Sequence, residues 1–160
     1  MKHYSAFSIE MFTKYVFNDT EAFNWLVDND YRELLATLDA IRDDKNAFKF
    51  LIESKQFELA AFVNAIWDDE KAFKFLIERK AFDWAACANT INGDDKAEAA
   101  LKRAGKEHFV HLAKAILGRI HEDGDRNISG WGVIKNIFDY KKAINTATKK
   151  DDTDYKPKKK

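Results

Sequence analysis

Proline is almost missing from this chain. One proline and six glycines in 160 residues leave few places where a helix is forced to stop, so architectures rich in tight turns are disfavoured and helices are expected. Cysteine is as scarce. The single Cys87 cannot close an internal disulfide, which sets aside disulfide-stapled secreted scaffolds and predicts a reducing, cytoplasmic setting. Net charge is absent as well, with 27 Lys and Arg balancing 27 Asp and Glu, and a neutral chain is poorly suited to tight non-specific binding of nucleic acid. No run approaches the ~20 apolar residues of a membrane span. Glu10 and Lys14 interrupt the only N-terminal stretch that could resemble a secretion signal. A soluble chain with no membrane partner is the expectation.

What the chain has in quantity is bulky apolar material, thirteen phenylalanines and four tryptophans, and it has a repeat. Residues 43–67 and 68–92 align without a gap and share fifteen of twenty-five positions, among them Ala47/Ala72, Phe48/Phe73, Leu51/Leu76, Phe57/Phe82 and Ile66/Ile91. Stepping back by the same period, residues 18–42 keep Asp19, Ala22, Phe23, Leu26, Leu34 and Ile41 in register. Stepping forward, residues 93–120 form a worn fourth copy that keeps Asp94, Lys96, Ala97, Leu101 and Ile116, with one or two inserted residues expected before Phe109. Self-similarity at a period of a few tens of residues marks units that bury their apolar faces against one another.

Each unit reads as two helices. Asp43/Asp44 and Asp68/Asp69 suit helix starts, and Asn18 followed by Glu21 resembles a capping box. Ala47, Phe48, Leu51 and Ile52 form one apolar stripe, which predicts a half-exposed outer helix. Phe57 to Ile66 is apolar on nearly all sides, which predicts a buried inner helix. The fold class expected is therefore all-α: short helical hairpins of 25 residues stacked into one solenoid-like or bundle domain spanning 1–148. It would be closed by an N-terminal cap helix over 8–17 and a C-terminal cap helix over 131–148. Residues 149–160, ending in Lys158, Lys159 and Lys160, read as a disordered basic tail.

The repeat also sorts the candidate functional residues. Trp25, Phe50 and Phe75 share one position, on the flank of the outer helix, and form either an inter-unit wedge or an aromatic ridge for a partner. Trp67 stands where the other copies have Arg42 and Asn92, so packing does not demand it, and tryptophan is enriched at interface hot spots. Lys102, Arg103, Lys106, Lys114 and Arg119 cluster in the half of the chain whose balance is basic, a candidate nucleic-acid surface. His108 and His111 lie three apart on an expected helix, a weak metal pair without a third ligand in sequence. Asp123, Asp125 and Asn127 alternate as in a calcium loop, but Ile128 and Ile134 stand where the glycine and the bidentate glutamate belong. Cys87 aligns with Phe62 and Thr37 and reads as a small core residue. No nucleophile elbow, phosphate loop or zinc signature is present. The expectation is a non-enzymatic protein-binding repeat protein without a cofactor. Nucleic-acid binding through the basic half and tail, and a metal-dependent activity at His108/His111, stand as alternatives.

Overall fold

The computed structural model describes residues 2–124 and, beyond them, Pro157. The expected cap helix over 131–148, the tail over 149–160 apart from Pro157, and Asp125 and Asn127 of the acidic loop lie outside the described residues. Within them the only regular structure is helical. Helix α1 (Ala6–Val16) is followed by α2 (Thr20–Asp28), α3 (Arg32–Ile41), α4 (Lys45–Glu53), α5 (Phe57–Ile66), α6 (Glu70–Glu78), α7 (Phe82–Ile91), α8 (Asp95–Arg103) and α9 (Glu107–Asp123).

The junctions recur at a strict interval of 25. Asn18, Asp43, Asp68 and Gly93 have positive φ, and so do Asp30, Lys55, Lys80 and Gly105. At each junction the next residue turns its N–H back five residues, as in Asp19 to Lys14 O, Asp44 to Asp39 O and Gln56 to Leu51 O, while the left-handed residue itself bonds three back. This Schellman geometry satisfies carbonyls that a helix end would otherwise orphan. The residue after Asn18, Asp43, Asp68 and Gly93 is always aspartate. Asp19, Asp44, Asp69 and Asp94 each accept the N–H three residues on, from Ala22, Ala47, Ala72 and Ala97, so every outer helix has the same side-chain N-cap. Asn18 is thus not the cap the sequence suggested; it closes the helix before. The insertion expected before Phe109 does not exist either. Gly105 takes the register of Lys80 and α9 starts 25 residues after α7. The fourth copy is worn in composition but not in length.

The inner helices explain why the register is kept. Helix α1, expected as a mere cap, belongs to the same series: Val16, Ile41, Ile66, Ile91 and Ile116 lie 25 apart and all are buried. So are Ile9, Leu34, Leu59, Trp84 and Phe109, and so are Phe12, Thr37, Phe62, Cys87 and Leu112. These three sets recur at i, i+3 and i+7 on α1, α3, α5, α7 and α9, and they belong to one continuous core. All ten residues of α5 are buried, as its all-round apolar pattern requires. Helices of nine to eleven residues are marginal alone in water, so packing holds them. The outer helices α2, α4, α6 and α8 each bridge two successive inner ones.

The series does not run on as an open array. It closes, because α1 packs against α9. The Arg119 guanidinium, 11% exposed, donates from Nε and Nη2 to the Val16 carbonyl at 3.2 and 2.9 Å, and Arg42 grips the Asp123 carboxylate through two bonds of 2.7 and 3.0 Å. Among the described residues five inner helices enclose the core, four outer ones brace it, and the result is a closed helical bundle.

Candidate functional site

Closure gathers the starts of all five inner helices at one end of the bundle. At the second helical position the repeat places an acid in three of them, Glu33, Glu58 and Asp83, and His108 in the fourth hairpin. None of α3, α5, α7 and α9 has a side-chain N-cap bond, and a first-turn carboxylate offsets the positive end of the helix dipole instead. Each acid has a cation. Lys2 Nζ lies 3.2 Å from Glu33, Arg79 Nε 3.1 Å from Glu58, and Lys106 Nζ 3.2 Å from Asp83. The Tyr4 hydroxyl also donates to Glu33, at 3.1 Å. Burial first, and then the Glu33 charge, pushes its pKa far up, which keeps the proton on that donor.

Aromatic rings run across this end. Phe7 meets Trp25 edge-on at 5.1 Å, Trp25 stacks on Tyr31 at 5.5 Å, Tyr31 touches Tyr4 at 6.1 Å, and Tyr4 meets Trp84 at 5.8 Å. Trp84 carries the run inward to Phe62 and Phe109. Lys2 Nζ sits 4.1 Å over the Tyr31 ring and donates to the Asp30 carbonyl at 2.7 Å. Two rings of this end stay in water: Phe7 and Phe82, each 54% exposed. They share one repeat position with Arg32, Phe57 and Glu107. That coincidence was available from the sequence, but only once α1 is counted as a unit.

Beside Phe82 opens a cavity of about 310 Å³, lined by residues that include Lys2, His3, Lys80, Asp83 and Lys106, with Tyr4, Trp84 and Phe109 among its apolar walls. Lys80 forms no ion pair among the described residues. Nor do the N–H groups of Phe82, Asp83 and Trp84, the first turn of α7, find an acceptor among them.

The residues singled out in the sequence fall in several places. Phe50 and Phe75 are buried, so at these two positions the side chains serve the packing and form no exposed ridge. Trp25 is half-buried within the aromatic run. Trp67, the C-cap of α5, is half-buried against the core at the opposite end. The five cations do not make an open basic surface: Lys102 and Lys114 both pair with Glu98, at 2.7 and 3.4 Å, Lys106 with Asp83, and Arg119 with Glu122 and Val16, leaving Arg103 exposed. The bond from Lys102, aided by the lysine charges, holds the Glu98 carboxyl below its ordinary value.

His108 is half-buried beside Phe109 and His111 is exposed. No group of three or more His, Cys, Asp or Glu among the described residues could hold a metal ion. Burial, with Lys106 nearby, lowers the His108 pKa. Asp123 ends α9 and is engaged by Arg42. Cys87 is fully buried, its thiol pushed up by burial alone and its S–H directed at the Phe109 carbonyl at 3.6 Å, so it is not a poised nucleophile. No helix among the described residues is long and apolar enough to cross a membrane. Comparison with protein-family models, with curated proteins and with solved structures finds no match.

Proposed function

We propose that this chain is a non-enzymatic, cytoplasmic protein-binding module built from helical repeats, and that it docks its partner on the end of the bundle where the inner helices begin. The observation that carries the proposal is the pair Phe7 and Phe82, 54% exposed on a molecule that buries nearly every other large aromatic of its inner helices. Exposed aromatics backed by a packed aromatic run, with charged side chains around them, are the composition of an interface core and rim. Trp25 belongs to this surface. Phe50 and Phe75 support it only from within. The closed bundle offers a rigid end face rather than a long groove, which suits a short segment of a partner.

The test compares affinity capture by the wild-type chain with capture by a Phe7→Ser, Phe82→Ser double variant. Both substitutions are at half-exposed sites, so the circular dichroism and the unfolding midpoint should stay close to wild type. Proteins retained by the first and lost by the second, and rebinding as purified components, support the assignment. Identical capture by both chains removes the face from consideration.

A further inference from the structure

Resting on that reading, we infer that the partner segment is acidic, and that it seats a carboxylate side chain in the cavity beside Phe82. Three lysines and a histidine line this cavity, Lys2, Lys80, Lys106 and His3, against one carboxylate, Asp83. Two of the lysines are already committed. Lys2 answers Glu33, Asp30 O and the Tyr31 ring, and Lys106 answers Asp83. Lys80 is the surplus charge, since no acid among the described residues reaches it.

The backbone adds donors on the same side. Lys80 holds φ of 59° at the turn into α7, which leads directly into the amides of Phe82, Asp83 and Trp84 that have no acceptor among the described residues. Because Asp83 is drawn to Lys106, its carboxylate does not fold back to cap these amides. A carboxylate brought by a partner would meet Lys80, the positive end of a ten-residue helix and unfilled N–H groups together. The neighbouring Phe82 surface, 54% exposed, would take an apolar side chain adjacent to it. The occupant that fits is an extended peptide with an aromatic residue flanked by Asp or Glu. A basic peptide would meet repulsion from Lys80 and leave the amides unfilled.

The experiment titrates the full chain, isotope-labelled for amide NMR, with three pentapeptides blocked at both ends. Each has a central phenylalanine, flanked in one by Asp and Glu, in another by Asn and Gln, and in the third by Lys and Arg. Inorganic phosphate is titrated separately. The acidic peptide is expected to shift the amides of Ala81, Phe82, Asp83 and Trp84 saturably. Its advantage over the neutral peptide should shrink as salt rises from about 50 mM to about 300 mM. Lys80→Gln should weaken it about two- to fivefold, the scale of one exposed charge pair, and Lys80→Glu should abolish the advantage. Phe82→Ala should weaken all peptides alike.

If the acidic and neutral peptides shift the same amides with equal affinity, the acidic assignment falls while the aromatic docking face stands. Equal or tighter binding of the basic peptide also overturns the assignment, as does the absence of any shift near α7. Phosphate shifting these amides as tightly as the acidic peptide reduces the cavity to a small-anion site and overturns the peptide assignment.

Discussion

Replacing Arg119 by methionine would test whether the bundle behaves as a closed unit. Methionine keeps much of the apolar stem and removes the guanidinium, so the loss is confined to polar bonds. The two N–H groups that reach the Val16 carbonyl at 3.2 and 2.9 Å come from a charged donor that is 11% exposed, and the carbonyl they serve belongs to the last turn of α1. Bonds of this kind, to a charged group and largely shielded, carry roughly 1.5–3 kcal/mol. The pair with Glu122 at 2.8 Å adds little, because Glu122 is 67% exposed.

A domain of this size has a urea slope on the order of 2 kcal/mol per molar, so the unfolding midpoint should fall by about 1 M in a single transition. Arg103→Met, at an exposed position on α8, serves as control and should move stability by less than about 0.5 kcal/mol. The decisive readout is hydrogen exchange. In an open array a lesion at one end is felt by its nearest neighbours alone. Where α1 seals against α9, loss of the seam should lower protection in α3 and α5 as well. A midpoint indistinguishable from the control, or lost protection confined to α1 and α9, would refute the closure argument.

The remaining expectations concern the junctions, the thiol and one histidine. Lys80 holds φ of 59° without the freedom of glycine. Lys80→Gly should therefore raise stability by about 0.5 kcal/mol, while Gly105→Ala, where an added Cβ meets nothing within 4 Å and only the φ of 71° opposes it, should cost about 1 kcal/mol; urea midpoints that move with the same sign would contradict this. Asp44→Ala removes a cap that accepts two N–H groups and should cost about 1 kcal/mol, measurable by the same assay. Cys87 should react with an aromatic disulfide reagent only at the rate of opening, so prompt labelling of the native chain at mildly alkaline pH would argue against its burial. His108 has its pKa lowered in the folded state, so the unfolded chain binds the proton first. Stability from this group is complete above the ordinary histidine range and declines as pH falls below about 6.5. His108→Gln should flatten that part of the melting profile, and an unchanged profile would remove His108 as its source.

Much of the fold was legible because packing repeats itself in the letters. The all-round apolar run from Phe57 to Ile66 marked a buried helix, and Asp44 and Asp69 marked starts. Closure was not legible, since it depends on the small rotation accumulated from unit to unit, which no single residue encodes. Its agents, Arg119 and the Arg42–Asp123 pair, are more than eighty residues from their targets. The aromatic end of the bundle was missed for a related reason. Tyr4 and Lys2 precede the periodic region, and they acquire meaning only when closure lays them beside Tyr31 and Trp84. The sequence pointed to Trp67 because its copies disagree there, yet the ring is half-buried against the core at the end of α5 and lies away from the exposed Phe7 and Phe82.

Ancestry by duplication usually leaves copy number free, since a further unit can be appended at an end and recapped. Among the described residues the first and last inner helices face each other across one seam, so an additional hairpin placed there would have to enter between α1 and α9 and part Arg119 from Val16. The number of units is thereby set by circumference. Appending a further unit would therefore open the ring instead of lengthening it.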